Sequence, residues 1–165
     1  LNDEAVEQYR RTIHQSPTYV KAYYNLGNCY LKSGHIELAL DAYQTILEFD
    51  ARHARAHFAI GQALARSGRR DEALLAFQEA LGLRTVFPEC HLAYARALET
   101  SGCVREALHH YRVYVQDPSA VEQRDEVAQH IAELSQLGYS SDTGTHRRVG
   151  TGQHVALASD ADQAW

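Results

Sequence analysis

The chain has 165 residues, of which 45% are hydrophobic and 22% are charged, and its formal net charge at pH 7 is −5. This composition is typical of a folded globular protein and unlike that of a disordered chain. The acidic balance argues against a nucleic-acid-binding protein, because phosphate backbones require a basic protein surface. The mean hydropathy is −0.42 and no apolar run is long enough to span a bilayer, so we exclude direct membrane insertion.

The cysteines and the first residue bear on where the protein works. Cys29, Cys90 and Cys103 cannot all pair within the chain, and their spacing fits no metal-binding motif. Reduced thiols are the simplest interpretation, and they predict a cytoplasmic protein. Because the chain contains no methionine, Leu1 is not a translational start, and a periplasmic or otherwise exported location stays open as the alternative.

A repeat of 34 residues organises most of the chain. The repeated positions hold small, aromatic or turn-forming residues, and the residues of each kind recur at the spacing of 34. They are Ala5, Ala39, Ala73 and Ala107, then Tyr9, Tyr43, Phe77 and Tyr111, and then Ser33-Gly34, Ser67-Gly68 and Ser101-Gly102. Helix-forming residues dominate these units and no alternating β-branched run is present, so we predict an all-α fold.

Each unit is predicted to be a pair of antiparallel helices joined at the repeated glycine. Gly34 ends the first helix, because glycine adopts the left-handed conformation without a side-chain penalty. Before it, Tyr23, Leu26 and Tyr30 form an apolar stripe at helical spacing. A single hairpin cannot bury such a stripe, so neighbouring units must stack against one another.

This repeat resembles the tetratricopeptide repeat (TPR). The resemblance is carried by Tyr23-Tyr24-Asn25-Leu26-Gly27-Asn28, followed by Tyr30, Gly34, Ala39 and Tyr43. It implies a right-handed α-α superhelix, a TPR solenoid of stacked antiparallel helix hairpins. The family's usual tryptophan is replaced here by Tyr23, His57 and His91. Its closing proline is replaced in two copies, by Ala51 and Thr85.

We predict two regions, a TPR array at 1–138 and a flexible C-terminal tail at 139–165. The array divides into a partial repeat, three full repeats and a capping helix, at 1–19, 20–53, 54–87, 88–118 and 119–138. Because the first unit contains only a second helix, we expect the stack to continue before Leu1.

The capping helix is predicted from a capping box, in which Ser119 accepts a backbone hydrogen bond and Glu122 reaches back. Gly138 is a stop signal for this helix. Beyond Gly138 the repeat pattern is lost. We hypothesise that the acidic, Trp165-containing tail visits the partner-binding groove described below, where it competes weakly with the partner. The apolar stripe of the capping helix is Val121, Val127, Ala128, Ile131 and Leu134.

No catalytic constellation stands out in the sequence, and we predict that the protein is not an enzyme and holds no cofactor and no metal. His53 and His57 are four residues apart but lack the glutamate of a zinc-protease helix. His57 and His91 occupy one repeat position, and we interpret them as packing residues with one hydrogen-bonded tip. His109 and His110 point in different directions on a helix, so they cannot chelate together.

The first helix of each unit lines the concave side of the stack, where we place a candidate partner-binding groove. Basic side chains there outnumber acidic ones by five to two, the acidic ones being Glu89 and Glu99. Tyr24 and Phe58 are predicted to be exposed, and exposed aromatic pairs are typical of binding surfaces. The candidate partner-binding residues are Lys21, Tyr24, Asn25, Asn28, Lys32, Arg55, Phe58, Gln62, Arg66, Leu92 and Arg96.

These features predict a non-catalytic protein–protein interaction module, such as a scaffold, adaptor or assembly factor that holds a partner peptide or segment in its groove. The alternative is a targeting or regulatory TPR region of a larger enzyme whose catalytic domain lies outside this sequence. The charge of the groove favours an acidic, aromatic partner segment, and self-association stays open. The TPR proteins that bind chaperone tails use a set of Lys, Asn and Arg side chains, of which only Asn28 is matched here, and this argues against chaperone tails as partners.

Overall fold

A computed structural model of the chain describes residues 3–83 and 87–139. Within these ranges all the regular secondary structure is α-helical, which confirms the predicted all-α fold. The eight helices found there are α1 (Asp3–Gln15), α2 (Val20–Lys32), α3 (Ile36–Phe49), α4 (Ala54–Arg66), α5 (Arg70–Gly82), α6 (Pro88–Thr100), α7 (Val104–Gln116) and α8 (Arg124–Gln136).

The helices pair as hairpins, and the hairpins stack in chain order. The pairs α2/α3, α4/α5 and α6/α7 each form one unit, and each unit contacts the next through its second helix. The first helices α4 and α6 also contact each other directly. Consequently the first helices form one side of the stack, and α1 and α8 cover its two ends. None of the helices in the described part of the chain is long and apolar enough to cross a membrane.

Each hairpin turns at a glycine with positive φ, as the sequence predicts. Gly34, Gly68 and Gly102 have φ values of +79°, +80° and +82°, a region that other residues rarely adopt. After the first of these glycines, the N–H of His35 donates to the carbonyl of Tyr30 at 2.9 Å. This bond satisfies a carbonyl that the end of α2 would otherwise leave unpaired.

Aromatic side chains of the second helices lie directly on the backbone of the first helices. A Cβ atom added at Gly27 would lie 2.4 Å from the Tyr43 ring, and one added at Gly61 would lie 2.6 Å from the Phe77 ring. Both distances are far shorter than a van der Waals contact. Glycine therefore occupies these two positions because only a missing side chain lets the rings of Tyr43 and Phe77 close against the helix.

The alanine at position 73 is expected to be intolerant of a larger side chain. Ala73 is completely buried in α5, and forcing extra methylene groups into a packed core costs about 1–3 kcal/mol. We expect Ala73→Leu to lower the free energy of unfolding by that amount, measured by urea denaturation. The matched control is Glu79→Leu, which adds the same side chain at an exposed position of α5. Equal stability of the two variants would contradict the packing role of Ala73.

The predicted capping box before α8 is wrong. The hydroxyl of Ser119 donates to Asp117 Oδ1 at 2.6 Å, and the backbone N–H of Ser119 donates to the same oxygen at 2.8 Å. Because Asp117 holds Ser119 in a local turn, Ser119 and Glu122 lie before the helix. The helix begins only at Arg124, after Gln123 in the left-handed region with a φ of 60°.

The apolar stripe predicted for the capping helix is only partly correct. Val127 and Leu134 are buried in the core, and Ile131 packs against it. Val121 is 81% exposed, because it lies in the turn before α8 and not on the helix. Ala128 is exposed as well. Of the tail predicted at 139–165, only Tyr139 is described, and its N–H donates to the carbonyl of Leu134 at 3.2 Å. The hypothesis that the tail visits the groove concerns residues 140–165, which lie outside the described residues.

Candidate functional site

A cavity of about 510 Å³ opens at the C-terminal ends of α4 and α6. We call it the arginine cavity, because its polar lining is dominated by guanidinium groups. Its polar lining residues are Gln62, Arg66, Arg70, Arg96 and Thr100. Its other lining residues are Leu31, Ala65, Gly68, Ala73, Phe77, Ala93 and Ala97. The small side chains along α4 and α6 leave the space into which the arginines converge.

The arginine cavity carries positive charge without a carboxylate in its lining. Arg96 Nη2 donates to the uncharged side chain of Gln123 at Oε1, at 2.7 Å, and its positive charge also acts on the nearby Glu99 carboxylate. Among residues 3–83 and 87–139, neither Arg66 nor Arg70 lies within 4.0 Å of a carboxylate oxygen. Three positive charges around an apolar floor favour a negatively charged ligand, since carboxylates bind arginine through strong charge-assisted hydrogen bonds.

A second cavity of about 260 Å³, the aromatic cavity, is lined by Tyr24, Arg55, Phe58, Phe87 and Glu89. The Phe58 and Phe87 rings meet edge to face with centroids 4.9 Å apart. The guanidinium carbon of Arg55 lies 5.6 Å from the centre of the Phe87 ring, close enough for a cation–π contact. Partial burial raises the pKa of Tyr24, although the charge of Arg55 opposes that shift, so the hydroxyl stays neutral.

The prediction that Phe58 is exposed is wrong. Phe58 is only 8% exposed, because its ring packs against the rings of Phe77 and Phe87, with centroid distances of 6.0 Å and 4.9 Å. Leu92, another predicted groove residue, is buried as well and lines neither cavity. Both side chains belong to the core, although Phe58 also forms the floor of the aromatic cavity.

The structure divides the predicted groove residues into three groups. Gln62, Arg66 and Arg96 meet in the arginine cavity, and Tyr24, Arg55 and Phe58 meet in the aromatic cavity. The residues that line neither cavity are Lys21, Asn25, Asn28, Lys32 and Leu92. Among these, Asn28 Oδ1 accepts a hydrogen bond from the Tyr43 hydroxyl at 2.7 Å, so this oxygen already has a partner in the core.

Sequence reasoning missed Arg70 and Phe87. Arg70 is the first residue of α5, and the prediction considered only first helices. Phe87 immediately precedes α6 and serves as its N-cap residue. The proline that follows it, Pro88, was a signal that a helix begins there.

Glu99, which the sequence analysis counted as an acidic groove residue, is bound to the capping helix. Its carboxylate accepts hydrogen bonds from the Tyr111 hydroxyl at 2.7 Å and from His130 Nε2 at 2.9 Å. Partial burial raises the pKa of Glu99, but the two hydrogen bonds and the nearby charges of His130 and Arg96 outweigh it, so the pKa is lowered overall. The negative charge of Glu99 is therefore engaged by α7 and α8.

Two histidines bridge the helices of the third unit. His91 Nδ1 and His110 Nδ1 lie 2.9 Å apart, so the N–H of one ring donates a hydrogen bond to the nitrogen of the other, and the ring centroids are 5.2 Å apart. This confirms His91 as a packing residue with a hydrogen-bonded tip. Burial, followed by the neighbouring histidines His91 and His109, lowers the pKa of His110 to about 4. Burial and His109 also lower the pKa of His91, against the opposing charge of Asp117.

The histidine pair should make stability depend on pH. Above the ordinary histidine pKa of about 6.5, both rings are neutral in the folded and unfolded chains. As the pH falls from 6.5 towards 4 the unfolded chain binds protons that folded His110 does not, so stability is lost. We expect His110→Gln to reduce the loss of stability between about pH 7.5 and pH 5, measured by urea denaturation. The control His14→Gln, at an exposed position of α1, should leave this pH-dependent loss of stability unchanged. Equal effects of the two variants would contradict the role of His110 in the pH dependence.

The remaining reactive side chains do not converge. In the part of the chain that the structure describes, no group of three or more His, Cys, Asp or Glu side chains is arranged to hold a metal ion. Cys29, Cys90 and Cys103 are free thiols. Burial raises the pKa of Cys90 to about 12, so this thiol is protonated and inert at neutral pH.

Comparison with family models matches three segments of the chain. Residues 20–53 and 54–84 match models described as tetratricopeptide repeat, and residues 2–34 match a model described as TPR repeat. The comparison with curated proteins gives no match.

Solved structures with the same arrangement of helices include MamA and a thermophilic protein. MamA of AMB-1 is 31% identical, with 76% of this chain and 69% of that chain covered at a TM-score of 0.59. Another MamA structure is 20% identical and covers 83% of this chain and 91% of that chain at a TM-score of 0.64. TTC0263, a thermophilic TPR protein of Thermus thermophilus, is 23% identical and covers 80% of this chain and 72% of that chain at a TM-score of 0.66.

Proposed function

The chain belongs to the tetratricopeptide repeat family, and we propose that it holds an acidic, aromatic segment of a partner protein along its first helices. The TPR fold identifies the chain as a protein-interaction scaffold in general. The observation that supports the finer proposal is the arginine cavity, in which Arg66, Arg70 and Arg96 converge without a carboxylate in the lining.

The electrostatics of the cavity favour an anionic segment over a neutral one. The whole chain has a net charge of −5, so three convergent arginines are a local reversal of sign. Arginine also presents a planar pair of donors that matches the two oxygens of a carboxylate.

The aromatic cavity supplies the apolar part of the proposal. Phe87 is partly buried beside half-buried Tyr24, and together they offer ring surface on which an aromatic side chain can stack. Large aromatic side chains contribute much of the binding energy of many interfaces. The alternative function, a targeting or regulatory region of a larger enzyme, stays a prediction, because nothing in the described residues favours it.

Charge reversal in the arginine cavity tests this function. The ligands are an array of labelled, amidated peptides rich in acidic and aromatic residues. Arg66→Glu/Arg96→Glu should lower the affinity for the peptides that bind by about 100-fold, since two charged hydrogen-bonding groups are lost. The matched control, Arg52→Glu/Arg105→Glu, changes the net charge equally at exposed positions that line neither cavity. Equal weakening by both pairs, or by neither, would refute the proposed function.

A further inference from the structure

The two cavities lie at opposite ends of one stripe of helix α4. Phe58 lines the aromatic cavity, and Gln62 and Arg66 line the arginine cavity. These three residues follow one another at a spacing of four, which places them on the same face of the helix. In α6, Glu89 lines the aromatic cavity and Arg96 lines the arginine cavity, so both helices run from the first cavity to the second.

The helical rise fixes the separation between the cavities. Eight residues separate Phe58 from Arg66, which corresponds to about 12 Å along the axis of α4 at 1.5 Å per residue. Seven residues separate Glu89 from Arg96, or about 10 Å along α6. An extended peptide covers about 3.3 Å per residue and spans this distance in three to four residues, whereas a helical peptide needs seven or eight.

Gln62 favours the extended form of the bound segment. Its side chain is exposed in the lining of the arginine cavity, one helical turn before Arg66 on the side of Phe58, and it has no hydrogen-bond partner among the described residues. A carboxamide can both donate to and accept from a peptide backbone. An extended segment offers free backbone N–H and C=O groups at this point, while a helical segment has already paired its own.

The chemistry of the two ends differs. At the aromatic cavity the positive charge of Arg55 is accompanied by Glu89, and the rings of Tyr24 and Phe87 supply apolar surface. The arginine cavity contains no acidic lining residue. An acidic side chain of the partner therefore binds most favourably at the C-terminal ends of α4 and α6. An aromatic side chain binds most favourably at their N-terminal ends.

We infer that the chain recognises an extended partner segment in which one aromatic residue and one carboxylate are three to four residues apart. The aromatic side chain occupies the aromatic cavity, the carboxylate binds among Arg66, Arg70 and Arg96, and Gln62 bonds the backbone between them. This inference rests on the proposed function and adds to it a defined spacing and an extended conformation.

A spacing series of peptides tests the inference. Labelled, amidated Gly/Ser peptides carry one tryptophan and one glutamate, in both sequence orders, at separations from adjacent to about eight residues, and binding is measured by fluorescence anisotropy. In at least one order we expect the tightest binding at a separation of three to four residues. An adjacent pair cannot reach both cavities and should bind about tenfold more weakly, and longer separations should bind progressively more weakly. A maximum at seven or eight residues, or no dependence on separation, would overturn the inference.

Single-site variants assign each end of the peptide to its cavity. Arg66→Ala should weaken binding of the glutamate peptide but not of its glutamine counterpart, and Phe87→Ala should weaken the tryptophan peptide but not its alanine counterpart. If either variant weakens both members of its pair equally, the assignment of the two ends is wrong. If Arg66→Glu/Arg96→Glu leaves every peptide unaffected, the proposed function fails. If that variant weakens binding but separation has no effect, only this inference fails.

Discussion

Replacement of Phe77 by alanine should lower the free energy of unfolding by about 3–5 kcal/mol, the range typical of phenylalanine truncation in a packed core. The Phe77 ring is 1% exposed and lies on the backbone of α4 at Gly61. Its centroid lies 6.0 Å from that of the Phe58 ring and 6.4 Å from that of the Tyr94 ring. Because Tyr94 belongs to the third unit, Phe77 joins the second unit to the third. Its removal leaves a cavity at the centre of the stack.

The measurement is urea denaturation followed by circular dichroism. Because stability in a repeat array depends on the interfaces between units, we expect the transition of Phe77→Ala to broaden as well as to shift. Leu75→Ala is the control, since Leu75 is 62% exposed on the same helix. A stability within about 1 kcal/mol of that control would show that Phe77 does not join the units.

The second large effect should be on binding. Tyr24→Ala/Phe87→Ala is expected to weaken the acidic, aromatic peptide by about 100-fold, because each aromatic anchor contributes about 1–3 kcal/mol when truncated. Phe87 is truncated and Phe58 is kept, because Phe58 is buried and its loss would damage the core. Isothermal titration calorimetry measures the change directly.

The control for this pair is Tyr19→Ala/Phe49→Ala. Tyr19 and Phe49 are exposed aromatic residues that line neither cavity, so their truncation should leave the affinity unchanged. Thermal unfolding of both double variants establishes that they are folded. If the control pair weakens binding as much as Tyr24→Ala/Phe87→Ala, the aromatic cavity is not the anchor site.

The repeat architecture could be predicted from the sequence because its determinants are local. A glycine such as Gly68 is required by the backbone of its own turn, and the spacing of 34 residues brings each such turn to the same place in successive units. Likewise, the pairing of Gly61 with Phe77 repeats that of Gly27 with Tyr43. Periodicity therefore defined the helices, the turns and the stacking.

Positions that depend on an irregular neighbour could not be predicted in this way. Phe58 and Tyr24 occupy the same repeat position, but only Phe58 is covered by Phe87. The predicted start of α8 was wrong because the Ser119 hydroxyl donates to Asp117. The capping pattern does not include this contact. The sequence does not record which non-repeated side chain approaches a repeated position.

The most direct test of peptide binding along the first helices is site-specific photo-crosslinking. A benzophenone amino acid is placed either at Thr100, on the rim of the arginine cavity, or at Leu75, exposed on α5. Each protein is irradiated with the tightest-binding peptide of the spacing series. We expect a crosslink from position 100 that excess unlabelled peptide abolishes, and none from position 75. Crosslinking from position 75 alone, or equally from both positions, would contradict binding along the first helices.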